Sequence, residues 1–154
     1  MMRDMTALLS ASPVFAGLGQ DRLDFIAGCG WNVHFNAGGS IFKFGEPADR
    51  FFVLRGGTVS IEIRFAGGPA RRIETLGEGE VLGWSWLFPP YAWQFDARAM
   101  TDVRATAFDG SCLRDKCDRD PALGYELMKR FAGIVTARLQ ATRLQLLDLY
   151  GQPL

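Results

Sequence analysis

The chain has no surplus of charge: seventeen Lys and Arg are matched by seventeen Asp and Glu. Such a balance gives no overall attraction to nucleic acid or to an anionic membrane surface. No stretch approaches the ~20 consecutive apolar residues of a membrane-spanning helix, so no span is expected. The opening Met1-Met2-Arg3-Asp4 carries an acid and lacks the pattern of a secretory signal. The expected location is cytoplasmic. Cysteine is scarce (Cys29, Cys112 and Cys117), and an odd number of thiols in that compartment reads as reduced, buried side chains rather than a disulfide framework. Histidine is scarcer still. Three cysteines and His34 are in number enough for a four-ligand metal site. However, Cys112 and Cys117 do not share a helix face well, and Cys29 is remote in sequence, so no metal is expected. His34 alternates with apolar residues and has no Asp, Glu or Cys close by in sequence, so it reads as a surface imidazole. No Ser/His/Asp or Cys/His arrangement is present, and catalysis is not expected. Asp115, Asp118 and Asp120 read as a solvated face or a helix cap.

What the chain does have is apolar content, 48% of 154 residues, enough for the core of one domain. Met5, Leu8 and Leu9 recur at helical spacing over residues 4–10, and Ser12-Pro13 breaks that pattern. Leu23, Ile26 and Ala27 repeat it over 20–29, up to Gly28 and Gly30. From Trp31 the period changes to two: Trp31, Val33 and Phe35 alternate with Asn32, His34 and Asn36. Further strands are expected over 40–44, 51–55, 58–65, 71–76, 92–100 and 104–108, separated by Gly-rich turns. Short strands at this spacing indicate a β-sandwich or jelly roll. Helical periodicity then returns. Asp109 or Ser111 caps a short helix through Cys117, and Asp120-Pro121 opens a long one with proline at its first position. Gly151 and Pro153 are expected to stop it.

The apolar stripe of that long helix runs through Leu123, Leu127, Phe131 and Ile134/Val135, and its first part can pack on the β domain. From Val135 onward the steps to Leu139, Thr142, Leu146 and Leu149 alternate four and three, the seam of a coiled coil. A homodimer through this helix is therefore expected, with Arg138, Gln140 and Arg143 flanking the seam. The alternative is a helix that wraps its own domain.

Between the expected strands lies an aromatic segment: Trp84, Trp86, Phe88, Tyr91, Trp93 and Phe95 fall within twelve residues. It follows Gly79-Glu80-Val81-Leu82-Gly83 and precedes Arg98-Ala99-Met100-Thr101-Asp102. Upstream stand two hairpin stretches, Ser40-Ile41-Phe42-Lys43-Phe44-Gly45-Glu46-Pro47-Ala48-Asp49 and Phe51-Phe52-Val53-Leu54-Arg55-Gly56-Gly57-Thr58-Val59. Taken in this order, these motifs resemble the cyclic nucleotide-binding domain, the sensory half of CRP/FNR regulators and the module of kinase regulatory subunits and gated channels. The resemblance covers nearly the whole chain. It implies one domain over 1–154: N-terminal helices (1–30), a β-roll (31–110) holding a phosphate-binding cassette (79–99), and C-terminal helices (111–150). The fold expected is α+β, mainly β: an eight-stranded jelly roll with short N-terminal helices and a long C-terminal one.

In ligand-binding members, as the resemblance implies, backbone N–H groups and an arginine hold the cyclic phosphate and a glutamate takes the ribose hydroxyl. Here the glutamate position falls on Trp84, the arginine position on Trp93 and the Ser/Thr after it on Gln94. Strand alternation turns Arg98 away from the site, towards a pairing with its neighbour Asp96. Cyclic AMP or GMP in the usual pose is therefore disfavoured, and no cofactor is expected. Gly83, Trp84, Ser85, Trp86, Trp93, Gln94 and Phe95 are the candidate ligand-binding residues. They fit a site collapsed on its own side chains, an aromatic cage for a flat apolar or cationic ligand, or cyclic nucleotide in an altered pose. The iron–sulfur branch of the family relies on an N-terminal cysteine set that is missing here. The family's transcription factors carry a winged helix-turn-helix after the long helix. Only Gly151 to Leu154 follow it here, so direct DNA binding is not expected. The reading is a regulatory domain signalling through a dimer helix. Its alternatives are a ligand-free interaction module with an unidentified protein partner and a cysteine-based redox or metal sensor.

Overall fold

The computed structural model describes residues 5, 9, 10 and 12–151. Met5, Leu9 and Ser10 are helical, and the rest of the helix expected over 4–10 lies outside the described residues. The elements in chain order are α1 (Gln20–Ala27), β1 (Gly30–Phe35), β2 (Ser40–Phe42), β3 (Arg50–Gly56), β4 (Val59–Arg64), β5 (Ala70–Leu76), β6 (Val81–Leu82), a 3-10 turn (Ser85–Leu87), β7 (Asp96–Ala99), β8 (Val103–Asp109), α2 (Gly110–Arg119) and α3 (Pro121–Gly151). The strands form two antiparallel sheets, ordered β1-β8-β3-β6 and β2-β7-β4-β5. This is the expected eight-stranded, mainly β sandwich with a long C-terminal helix. The two-residue strand β6 had no periodic signal, and the strand expected over 92–100 narrows to β7.

The run Phe51-Phe52-Val53-Leu54 in β3 is buried throughout, and alternation sends its side chains into two different layers. Phe52 and Leu54 face the sandwich interior with Phe42, Val59, Ile61 and Leu82. Phe51 and Val53 face the opposite way and join Phe15, Ile26, Phe108, Leu113, Leu127 and Phe131 beneath the helices. One sheet therefore has apolar cover on both faces, which explains why its central strand reads as an unbroken hydrophobic run.

Both C-terminal helices start as the sequence indicates. The Asp109 carboxylate accepts the Cys112 amide at 2.9 Å, and the Asp120 carboxylate accepts the Leu123 amide at 3.2 Å. Leu123, Leu127 and Phe131 of α3 are at most 1% exposed. Farther along, Leu139, Leu146 and Leu149 are 47%, 48% and 71% exposed. Val135 is half-buried, and the exposed Thr142 donates its hydroxyl to the Arg138 carbonyl at 2.9 Å. At 31 residues and about 1.5 Å each, α3 outruns the domain it packs on. Gly151 is still helical, and Pro153 lies outside the described residues.

The reading of all three cysteines as reduced thiols is overturned. Cys29 and Cys112 form a disulfide, and only Cys117 is free. Their 83-residue separation concealed the pairing. The fold brings them together because β8 returns alongside β1: the Asp109 amide donates to the Cys29 carbonyl at 2.9 Å, which sets the first turn of α2 against the end of α1. His34 is exposed, as expected. Among the described residues no group of His, Cys, Asp and Glu is arranged to hold a metal, and no helix is long and apolar enough to cross a membrane.

Candidate functional site: a cassette filled by tryptophan

The cassette leaves β6 at Gly83, whose φ of 98° is open to glycine at little cost and strained for other residues. Steric room demands glycine here as well. A Cβ on Gly83 would fall 2.6 Å from the six-membered ring of Trp93. Trp93 is 2% exposed and stacks on Phe42, with centroids 3.7 Å apart and planes 6° from parallel. Its backbone is pinned to the β2–β3 loop, donating to the Glu46 carbonyl at 3.0 Å and accepting from the Gly45 amide at 2.8 Å. The residue that packs closest over the glycine is therefore an indole of the chain itself. Phe95 lies beside it at 6.5 Å and also neighbours Trp84 at 6.2 Å.

Trp86 does not belong to this group. The 3-10 turn carries it to the other layer, where it is fully buried between Phe51, at 4.9 Å, and Phe131, at 5.4 Å. Its Nε1 is buried with no hydrogen-bond partner. Of the candidate residues, Gly83, Trp93 and Phe95 come together; Trp84 neighbours Phe95 but packs against the helix-facing core that holds Trp86. Ser85 is nearly buried at 9% exposure. Gln94 is exposed, and its side-chain amide donates to the Ala92 carbonyl at 3.0 Å. Phe88 and Tyr91 are 49% and 37% exposed, so the sequence cluster does not close into one cage.

Arg98 faces away from the site, as alternation indicates, but the pairing with Asp96 is corrected. Its guanidinium donates to Glu62 at 2.7 Å and 3.1 Å. The register explains this: Ser60 is opposite Arg98 and Glu62 is opposite Asp96, so Glu62 is the diagonal cross-strand neighbour. Asp96 instead accepts the Phe44 amide at 2.8 Å and lies 3.7 Å from Arg64. The Arg98 hydrogen bond holds the Glu62 carboxyl below its ordinary range, outweighing burial, which acts in the opposite direction.

Arg138 is the functional-site residue that sequence misplaced. It was expected to flank a dimer seam, but α3 still lies on the domain at this point and its side chain is only 13% exposed. It donates to the Val81 carbonyl, sits 3.5 Å from the Glu74 carboxylate and lies over the Trp84 ring at 5.0 Å. Burial pulls the guanidinium down from its usual value against the opposing pull of Glu74 and Glu80. Burial likewise raises the Glu74 carboxyl. Arg138 thus joins α3 to β5, β6 and the cassette. Nothing in its sequence neighbourhood signals this, since the partners are more than fifty residues away. Beside it, Trp84, Phe88, Met128, Phe131 and Val135 border a hollow of about 270 Å³.

The Gly-bounded cassette in an eight-stranded roll, closed by a long helix, is matched by comparison with known proteins. Residues 32–120 match the family model described as the cyclic nucleotide-binding domain. The chain belongs to this family. Over 145 residues it is 26% identical to a CRP-like cAMP-activated global transcriptional regulator of Mycobacterium tuberculosis, covering 94% of this chain and 63% of that protein. It therefore spans less than two thirds of that relative's length. A stretch of 76 residues, 49% of this chain, is 34% identical to 10% of the cGMP-dependent protein kinase egl-4 of Caenorhabditis briggsae. Among solved structures, a Geobacter metallireducens protein described as cyclic nucleotide-binding superposes with a TM-score of 0.77 at 31% identity, over 87% of this chain and 97% of that one.

Proposed function

We propose that this cyclic nucleotide-binding-like regulatory domain works without cyclic AMP or GMP in the usual pose, and that it signals as a homodimer through α3. One observation carries the reading: Trp93, to which the sequence resemblance assigns the phosphate-arginine position, is buried on Phe42 and directly over Gly83. A cyclic phosphate there would lose its charge-assisted arginine pair, worth several kcal/mol, and would have to displace an indole. A small flat or cationic ligand would likewise have to displace Trp93 or settle in the hollow beside Trp84. The relatives' names point to nucleotide sensing, and the tryptophans argue against its usual form.

The test is titration of cyclic AMP and cyclic GMP to about 1 mM, which detects any site binding with more than about 4 kcal/mol. Tryptophan emission should not change. Saturable quenching would overturn the reading and favour an altered pose. For the dimer, sedimentation equilibrium should give twice the chain mass for the native protein and a monomer for Leu146→Asp. A monomeric native protein would remove the dimer. A specific feature supports the second reading, an interaction module with a different protein. Leu144 and Leu147, 62% and 66% exposed, lie off the Leu139–Leu146–Leu149 stripe, so a two-helix seam would leave apolar surface uncovered.

A further inference from the structure

Helix α2 is held on two sides. Towards the cassette, Arg114 donates to the Trp86 carbonyl and lies over the Tyr91 ring at 4.4 Å. Towards α1, Lys116 donates to the Phe25 carbonyl at 2.6 Å, and Cys112 is bonded to Cys29. Its far end meets α3 through Asp120, and a Cβ on Gly124 of α3 would lie 3.1 Å from Cys117. Motion of α2 is therefore felt by α1, by the cassette turn and by α3.

The two sulfurs of the bond differ in setting. Cys29 is 4% exposed within the helix-facing core, and its carbonyl is fixed by the Asp109 amide. Cys112 is half-buried on the first turn of α2. A disulfide reachable from one side only is open to attack at that side.

We propose that Cys29–Cys112 is a thiol–disulfide exchange site for a small dithiol reductant, and that opening it loosens the first turn of α2. A reductant thiolate attacks the Cys112 sulfur, and Cys29 leaves as a thiolate and takes up a proton. The reductant's second thiol then resolves the mixed disulfide at Cys112, which leaves protonated. The dithiol ends as a disulfide, and two electrons and two protons pass to the protein. Two separate thiols need more room than one bonded pair, and a close-packed core yields little. The displacement therefore falls on α2, leaving its first turn held by Asp109 and by the Gly110 amide on the Asp49 carbonyl at 2.8 Å. Cys117 stays a bystander: burial, with Asp118 and Asp120, keeps its thiol above the usual range and thus poor in thiolate. The exchange is independent of what the cassette binds.

The test uses the full chain purified without reductant and the same chain equilibrated with graded reduced and oxidised dithiothreitol. Alkylation in denaturant, read by mass, should label one cysteine per chain before reduction and three after it, and the reduced chain should keep its cooperative melting transition. Amide hydrogen exchange over residues 110–116 should quicken by about tenfold while β3 and β8 stay unchanged. Cys112→Ser should show the fast exchange without dithiothreitol, and Cys117→Ser should respond as the native chain does. Three labelled cysteines before reduction, a bond that opens only when the whole domain unfolds, or reduction without faster exchange at 110–116 would each overturn the proposal.

Discussion

Trp86 and Trp93 lie on one short segment and are both nearly inaccessible, yet they do different work. Trp86 is a tie between elements: it stacks on Phe51 of one sheet, meets Phe131 of α3 edge-on, and has its carbonyl held by Arg114 of α2. Trp93 is a plug, and its main contacts, Phe42, Gly83 and Phe95, all belong to the β-roll and its cassette. The two rings lie on opposite sides of the β1-β8-β3-β6 sheet, Trp86 carried by the 3-10 turn and Trp93 by the segment that returns to β7. Aromatic residues crowded in sequence are thus divided between two layers by the backbone that joins them.

The largest effect expected is on the tie. Trp86→Ala should destabilise the domain by about 4–5 kcal/mol, the upper range for an aromatic removed from a rigid core, because α3, β3 and the 3-10 turn all lose a common neighbour. Trp86→Phe should cost no more than about 1–2 kcal/mol, since the buried Nε1 it deletes has no partner to lose. Chemical denaturation measures both. Equal losses for the two variants would mean that the indole nitrogen is bonded after all.

The plug should respond differently. Trp93 borders a hollow of about 300 Å³ shared with Phe35, Phe42 and Phe52. Trp93→Ala should therefore cost about 3 kcal/mol and, unlike Trp86→Ala, be partly rescued by added indole, read as a rise in melting temperature. Failure of rescue would mean that the sandwich collapses into the space. Gly83→Ala sharpens the point. In the native background its Cβ meets Trp93 at 2.6 Å and its φ is 98°, for an expected loss of about 2–3 kcal/mol. In the Trp93→Ala background the steric part disappears, leaving a coupling of about 1–2 kcal/mol in a double-mutant cycle. Strict additivity would show that φ alone requires the glycine.

The same division sets what was legible in sequence. Period and capping mark most of the fold: the buried run 51–54, the Asp120-Pro121 helix start and the apolar stripe that packs the first part of α3 depend on neighbours a few residues apart. Strand β6 has two residues and therefore no period to read. The cassette was legible as a motif, and so was the crowding of tryptophan within it. Where those indoles lie was not legible, because that depends on Gly83 and the 3-10 turn. Arg98 with Glu62, Arg138 with Glu74, and Cys29 with Cys112 are all pairings between remote segments. Register and docking decide them, and a single chain read in one dimension has no term for either.

The smallest effect expected lies outside both layers, on the outer face of the β2-β7-β4-β5 sheet. Glu62 is 7% exposed and receives hydrogen bonds from Arg98 and from Ser60, the latter at 2.8 Å. Its folded pKa is lowered from an ordinary value of 4.5, chiefly by Arg98. A lowered carboxyl pKa means that the unfolded chain binds the proton more readily, so the ionised pair stabilises the fold fully above the unfolded value. That contribution is lost as pH falls below about 4.5 and through the folded pKa. Glu62→Gln should therefore be less stable than the native chain at pH 7, with the gap narrowing steadily as pH is lowered below 4.5. Glu74 has the opposite shift, raised by burial, so its ionisation opposes folding and its contribution has the opposite pH slope. Melting temperatures of the native and Glu62→Gln chains from pH 7 to pH 3 make the comparison. A gap that does not change with pH would mean that Arg98 and Glu62 hold together through shape and hydrogen bonding, with no net preference for the charged carboxylate.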